Sequence, residues 1–152
     1  MNDSITYTQS GAEGLDEISG LWRKLIRHHA ELSPYFGDDI GSIPWETRKR
    51  DLAGKAKNGL ILVQAAREDN RLIGYCVSSV TGGKTGEIDS IFIEESYRRR
   101  HIGDHFMKTA VNWMDKHNAV VKSIGVAFGN EAVFRFYSKY NFYPRSVIMR
   151  QK

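Results

Sequence analysis

The stretch richest in chemistry runs Ile88-Asp89-Ser90-Ile91-Phe92-Ile93-Glu94-Glu95-Ser96-Tyr97-Arg98-Arg99-Arg100-His101-Ile102-Gly103-Asp104. Strand-forming residues lead into a tight basic turn, and the turn opens a helix. Free backbone N–H groups, the positive end of the helix dipole and arginine side chains therefore converge on one point, a combination that binds phosphate. Gly103 lets a bulky anion reach the backbone because it has no side chain to stand in the way. Three arginines on a loop are by themselves only a solvated basic patch. The strand, turn, glycine and helix around them make the patch a candidate phosphate site.

A second stretch, Asn130-Glu131-Ala132-Val133-Phe134-Arg135-Phe136-Tyr137-Ser138-Lys139-Tyr140-Asn141-Phe142, reads as a helix that Asn130 can cap and that carries Val133, Phe136, Tyr137 and Tyr140. In this order the two stretches resemble the GNAT superfamily of N-acetyltransferases. The phosphate signature of that family is a Gln or Arg, two residues, a glycine, one residue, then Gly or Ala. It falls here on Arg98, His101 and Gly103, with His101 in place of the first glycine. The second signature matches at Asn130, Ala132, Phe136, Tyr137, Lys139 and Phe142, with Asn141 in place of a glycine. Asn tolerates the left-handed conformation of a helix end, so that exchange is mild.

The resemblance implies acetyl-coenzyme A as acyl donor and no metal. It implies that Arg99, Arg100, His101, Ile102, Gly103 and Asp104 hold the pyrophosphate, with Arg98 opening the motif. The backbone of Ile91, Phe92 and Ile93 would pair with the pantetheine arm like an added strand, and Asn130 and Tyr137 would flank the thiol. Acyl transfer from a thioester to an amine requires a neutral amine, so a base must take a proton, and the departing thiolate gains from an O–H donor. Tyr137 resembles the family's general acid. Strand alternation places Glu87, Asp89, Ile91 and Ile93 on one face and Ile88, Ser90 and Phe92 on the other. Glu87 lies four residues before Ile91, where the histone-acetylating branch of the family has its catalytic glutamate; Asp89 and water remain alternatives as base. An amide of the splayed strand, Ile93 first, would hold the oxyanion.

These residues need a scaffold. Ile5 to Thr8 reads as a strand, and Leu15, Ile18, Leu21, Trp22, Leu25, Ile26, His29 and Leu32 share one face of a helix ending before Pro34. A second helix follows Pro44 and runs through Arg48, Lys49 and Arg50 to Lys57. Leu60 to Arg67, Arg71 to Val80 and Glu87 to Glu94 form an antiparallel meander, and a helix from His101 follows. Val120 to Phe128, the helix after Asn130 and a closing strand from Phe142 to Arg150 complete the order β-α-α-β-β-β-α-β-α-β. This is a single α/β domain, and the resemblance implies the GNAT fold, a mixed central sheet of about six or seven strands flanked by about four helices. The acceptor site would be the loop between the first two helices, where Tyr35, Phe36, Asp38 and Asp39, with Trp45, face Glu87 and suit a cationic amine.

Composition narrows the alternatives. In 152 residues, 22 Lys and Arg against 18 Asp and Glu leave a net charge of +4, which favours a phosphate-bearing or acidic partner. The single cysteine, Cys76, excludes an internal disulfide and a multi-thiolate metal site. Met1 to Ser4 has no signal-like pattern and the longest apolar run, Leu60 to Val63, is too short to span a bilayer, so a cytoplasmic protein without a membrane partner is expected. Gly82 to Gly86 contains Gly-Lys-Thr, but Ser78 stands where a P-loop needs its leading glycine, so this is a hairpin turn. His101 and His105 lack a visible third metal ligand. His28 and His29 close the first helix, where the dipole favours them, or line the acceptor pocket. The expected partner is a small-molecule or peptide amine, and the family resemblance adds a homodimer. Two other readings are a non-catalytic acyl-coenzyme A-binding regulatory module and a nucleic-acid surface along Arg48, Lys49, Arg50, Lys55 and Lys57, the latter not expected.

Overall fold

A computed structural model describes residues 4–82 and 84–152; Met1 to Asp3 and the hairpin residue Gly83 lie outside the described residues. The strands are β1 (Thr6–Ser10), β2 (Gly59–Glu68), β3 (Arg71–Thr81), β4 (Thr85–Ile93) and β5 (Val121–Ile124). The helices are α1 (Ser19–Leu32), α2 (Gly37–Gly41), α3 (Trp45–Lys57), α4 (Ile102–Lys116) and α5 (Phe134–Ser138). The strands form one sheet in the order β1-β2-β3-β4-β5, antiparallel through β4, with β5 parallel to β4. Asp69 and Asn70, both at positive φ, make the two-residue turn between β2 and β3. The parallel β4–β5 pair requires a crossover, and α4 supplies it.

The two faces carry separate cores. Leu15, Ile18, Trp22 and Leu52 from α1, α3 and the turns before α1 pack on Val63, Tyr75, Val77 and Phe92. On the other face Ile102, Phe106, Met107, Ala110 and Met114 of α4 pack on Ile73, Cys76 and Ile88, with Phe136, Tyr137 and Tyr140 at the margin. Cys76 is fully buried, and burial pushes its thiol up to about 12, so it is an inert core residue.

Two irregularities in β4 shape everything that follows. Val77 pairs with Ser90 and Ser78 with Ile88, so Asp89 is the extra residue of a β-bulge. The bulge shifts the alternation by one residue, which corrects the expected faces. Glu87 and Asp89 face α3, as do Ser90 and Phe92 beyond the bulge, while Ile88, Ile91 and Ile93 face α4. Secondly, the β4–β5 ladder runs only from Thr85↔Val121 to Ile88↔Ile124. Beyond it the strands separate, and the β4 edge from Asp89 to Ile93 has no partner on that side among the described residues.

The expected strand from Phe142 to Arg150 is absent, so the sheet has five strands among the described residues instead of six or seven. Its residues have strand propensity, but propensity is expressed only where the backbone finds a ladder and the side chains a surface to pack on. Here Val147, Ile148 and Met149 are 67%, 92% and 89% exposed. The fifth strand is also shorter than expected, ending at Ile124, because its partner diverges there.

Candidate functional site

A cavity of about 810 Å³ follows the gap between β4 and β5, from α1 and α3 on one face to the first turns of α4 and α5 on the other. At its α4 end the basic turn contains two residues in the left-handed region. His101, in the glycine position of the motif, adopts the left-handed region at φ 62 and ψ 16, and Arg99 is at φ 66. The side chain at position 101 is 88% exposed, so the left-handed backbone is reached without a buried clash. From Ile102 the helix begins, and the amides of Ile102, Gly103 and Asp104 have no acceptor within it. Gly103 is packed so closely that an added Cβ would come within 2.9 Å of the Phe136 ring, which ties α4 to α5 at this point.

The basic residues divide their work. Arg98 donates from Nε to the Ile93 carbonyl at 3.1 Å with its guanidinium 5.6 Å from the Phe92 ring, and Arg98, Arg99 and His101 line the cavity. Arg100 does not line it; its guanidinium lies over Tyr97 and reaches Glu68 at 3.4 Å. Asp104 lines the cavity, but its carboxylate accepts from the Tyr140 hydroxyl, from His101 Nδ1 at 3.1 Å and from Lys139 Nζ at 3.1 Å. The Tyr140 and His101 bonds, with Lys139 beside them, hold it far below the usual carboxylate range. The carboxylate is thus matched by its neighbours and does not face a phosphate alone.

Ile91, Phe92, Ile93, Asn130 and Tyr137 also line the cavity. Tyr137 projects from α5; its hydroxyl makes no hydrogen bond among the described residues, and burial raises its pKa well above that of free tyrosine, so it stays a proton donor. Asn130 precedes the 3₁₀ turn Glu131–Val133 but forms no side-chain cap; Glu131 instead accepts from the Gly129 amide at 2.9 Å.

Where β4 meets α3, Lys55 bonds both Asp89 and Glu87, the latter at 2.6 Å. Burial would lower Lys55, but its two carboxylate bonds outweigh that and raise it. Asp89 is raised by burial against the opposing pull of Lys55, and its Oδ2 is buried without a well-formed hydrogen bond. Asp89 lines the cavity and Glu87 does not. Arg48 donates to the Asp89 carbonyl at 2.6 Å, capping the carbonyl of the bulged residue, and Tyr75 and Ser90 share a hydrogen bond of 2.8 Å below it.

The acceptor residues read from the first interhelical loop lie elsewhere. Tyr35 is 63% exposed and stacks on Phe128, Phe36 precedes α2, and none of Tyr35, Phe36, Asp38 and Asp39 lines the cavity. Asp38 borders a second hollow of about 600 Å³, and Trp45 is buried against Trp22. The cavity is bounded there by His28, His29, Ile43, Arg48 and Asp51. Burial, with His28 adjacent, lowers the pKa of His29 and so leaves it neutral at pH 7. Arg48 and Asp51 escaped sequence reasoning, which saw only a basic run; their one-turn spacing after Pro44 was the available signal. His105 stacks on Tyr7 at 3.6 Å. Of the basic run along α3, Lys55 and Arg48 are turned into the protein and Lys49 pairs with Asp16. Among the described residues, no helix is long and apolar enough to cross a membrane.

The sequence model of the acetyltransferase (GNAT) family matches residues 22–142. No curated protein sequence matches. Among solved structures, the fold is similar to an aminoglycoside N-acetyltransferase, AAC(6')-Iy, in complex with CoA, at 16% identity over 100% of this chain and 97% of that one, with TM-score 0.71. It is similar to the PaiA N-acetyltransferase of Thermoplasma acidophilum in complex with coenzyme A, at 20% identity over 90% and 88%, TM-score 0.67. A GCN5-related N-acetyltransferase of Ralstonia eutropha aligns at 12% identity over 98% and 99%, TM-score 0.76. At these identities the likeness is one of fold.

Proposed function

Because the chain belongs to the acetyltransferase (GNAT) family, we propose that it moves an acetyl group from acetyl-coenzyme A to a primary amine by direct transfer within a ternary complex. The observation that carries this reading is the early end of the β4–β5 ladder at Ile88↔Ile124. It leaves an open strand edge leading to the turn at Arg99–Asp104, with Tyr137 lining the same cavity. The residues fit the donor: the β4 edge between Asp89 and Ile93, which pairs with no strand there and whose two end carbonyls accept from Arg48 and Arg98, suits a pantetheine amide chain, and free helix N-terminal amides with Arg99 suit a pyrophosphate.

The donor supplies an activated acetyl group. In the transfer the thioester C–S bond breaks, an amide C–N bond forms, the amine loses one proton and the thiolate gains one. Tyr137 gives the proton to the thiolate. The amine proton leaves through water toward the carboxylates at the cavity margin, where Glu87 is 39% exposed and Asp89 0% exposed; Lys55 orients both. An amide near the bulge holds the oxyanion.

The test is release of coenzyme A thiol from acetyl-coenzyme A with a panel of amines: amino acids, polyamines, peptide N-termini and, given the similar fold of AAC(6')-Iy, aminoglycosides. Thiol release that depends on one of these amines is the expected result. Saturable coenzyme binding without amine-dependent release would establish the regulatory-module reading instead.

A further inference from the structure

The charge inventory of the cavity constrains the acceptor. Three acidic residues line it among the described residues, and two have engaged carboxylates: Asp89, whose side chain is fully buried against Lys55, and Asp104, held by Tyr140, Lys139 and His101. Only Asp51, which is exposed and has no ion pair among the described residues, is left for a cationic acceptor. An acceptor with many ammonium groups would meet one free carboxylate. Three residues earlier on the same helix face stands Arg48, half-buried in the cavity wall. One of its nitrogens is spent on the Asp89 carbonyl, which fixes the guanidinium in place, and no carboxylate of the described residues pairs with it. Residues three apart on a helix have Cβ atoms about 5–6 Å apart, so the free cation and the free anion address one small molecule together. The adjoining wall carries the apolar residues Trp22, Leu25, Ile26 and Ile43, with His28 and His29 beside them.

We propose that the acceptor is an amine that also carries a carboxylate, in its simplest form an α-amino acid with an apolar side chain. Arg48 holds the carboxylate, Asp51 holds the ammonium group before it loses its proton, and the apolar wall takes the side chain. This inference rests on the acetyltransferase reading above, and concerns only which amines that site accepts. A guanidinium fork matches a carboxylate in two hydrogen bonds, and an acceptor lacking the carboxylate leaves a desolvated charge unpaired.

The experiment compares leucine, phenylalanine and methionine with their carboxamides, with isopentylamine and with an aminoglycoside, using the wild type and Arg48→Gln. Glutamine keeps a donor for the Asp89 carbonyl while removing the charge, and a thermal melt checks that each protein is folded. With the wild type, kcat/KM for the best amino acid should exceed that of its carboxamide by about 30-fold, the effect of one charged hydrogen-bonded contact. In Arg48→Gln that ratio should fall toward unity through KM, with the KM for acetyl-coenzyme A unchanged. Equal use of acid and amide, preference for the aminoglycoside, or a raised KM for acetyl-coenzyme A in Arg48→Gln would overturn the proposal. If no amine is acetylated, the acetyltransferase reading itself fails. Calorimetry on the protein saturated with coenzyme A then decides the carboxylate site separately: tighter binding of an amino acid than of its amide supports it, and equal binding refutes it.

Discussion

Replacing Tyr137 with phenylalanine should lower kcat by about 100-fold or more, the range lost when a positioned general acid is removed, while the Kd for coenzyme A stays within about twofold. The hydroxyl is the group at issue because the ring is retained: Phe at this position keeps the packing against Phe136, whose ring centroid lies 5.4 Å away, and against the α4 core. The hydroxyl has no hydrogen-bond partner among the described residues, so its loss leaves no buried polar group stranded and stability should barely change. Burial raises the Tyr137 pKa above the free value of 10.0, so the wild-type rate should show no loss from tyrosine ionisation as pH is raised to that value. An unchanged kcat in Tyr137→Phe would take the acid role away from this residue.

Lys55→Met should destabilise the protein by about 3 kcal/mol at pH 7, the lower end of the cost of removing one partner from a buried charge cluster, because Glu87 retains solvent contact. The pH dependence identifies the cause. Asp89 titrates above 3.8 in the folded protein, chiefly through burial, so the folded state binds that proton more tightly than the unfolded state. Stability from this group is complete below the unfolded value and is lost as pH rises through the folded one. Without Lys55 the folded value moves higher still, and the deficit of the variant should be largest near neutrality and shrink as the solution is acidified. Urea unfolding of both proteins at pH 7 and pH 5 measures this. A deficit that is the same at both, or a second substitution Asp89→Asn that recovers nothing, would assign the loss to packing of the lysine stem.

The parts of the site that were legible in the sequence are those made by neighbours in the chain. The run from Ile91 to Asp104 carries strand, turn and helix start in one segment, so its geometry follows from local rules, and His101, where the family signature has a glycine, lies in the left-handed region at φ 62. Tyr137 and Asn130, likewise close in the chain, both line the cavity. The bulge at Asp89 was not, because a single extra residue leaves the hydrophobic pattern nearly unchanged while turning Ser90 toward the α3 face. Arg48 and Lys55 reach β4 across 41 and 32 or 34 positions, a matter of how α3 lies on the sheet. With Lys55 and Arg48 turned inward, one member of the basic run, Arg48, lines the cavity. The closing strand failed for the opposite reason: its local signal was sound, but no described strand pairs with it.

The proposed donor seat, acid and acceptor site all require the coenzyme to lie along the open edge of β4. Hydrogen exchange with and without coenzyme A tests this directly, because an added partner strand and a bound pyrophosphate slow the exchange of the amides they engage. Protection is expected on the β4 edge between Asp89 and Ile93 and on the turn from Arg99 to Asp104, with none along α2. Coenzyme binding that left both segments unchanged, or protected the second hollow beside Asp38 instead, would contradict it.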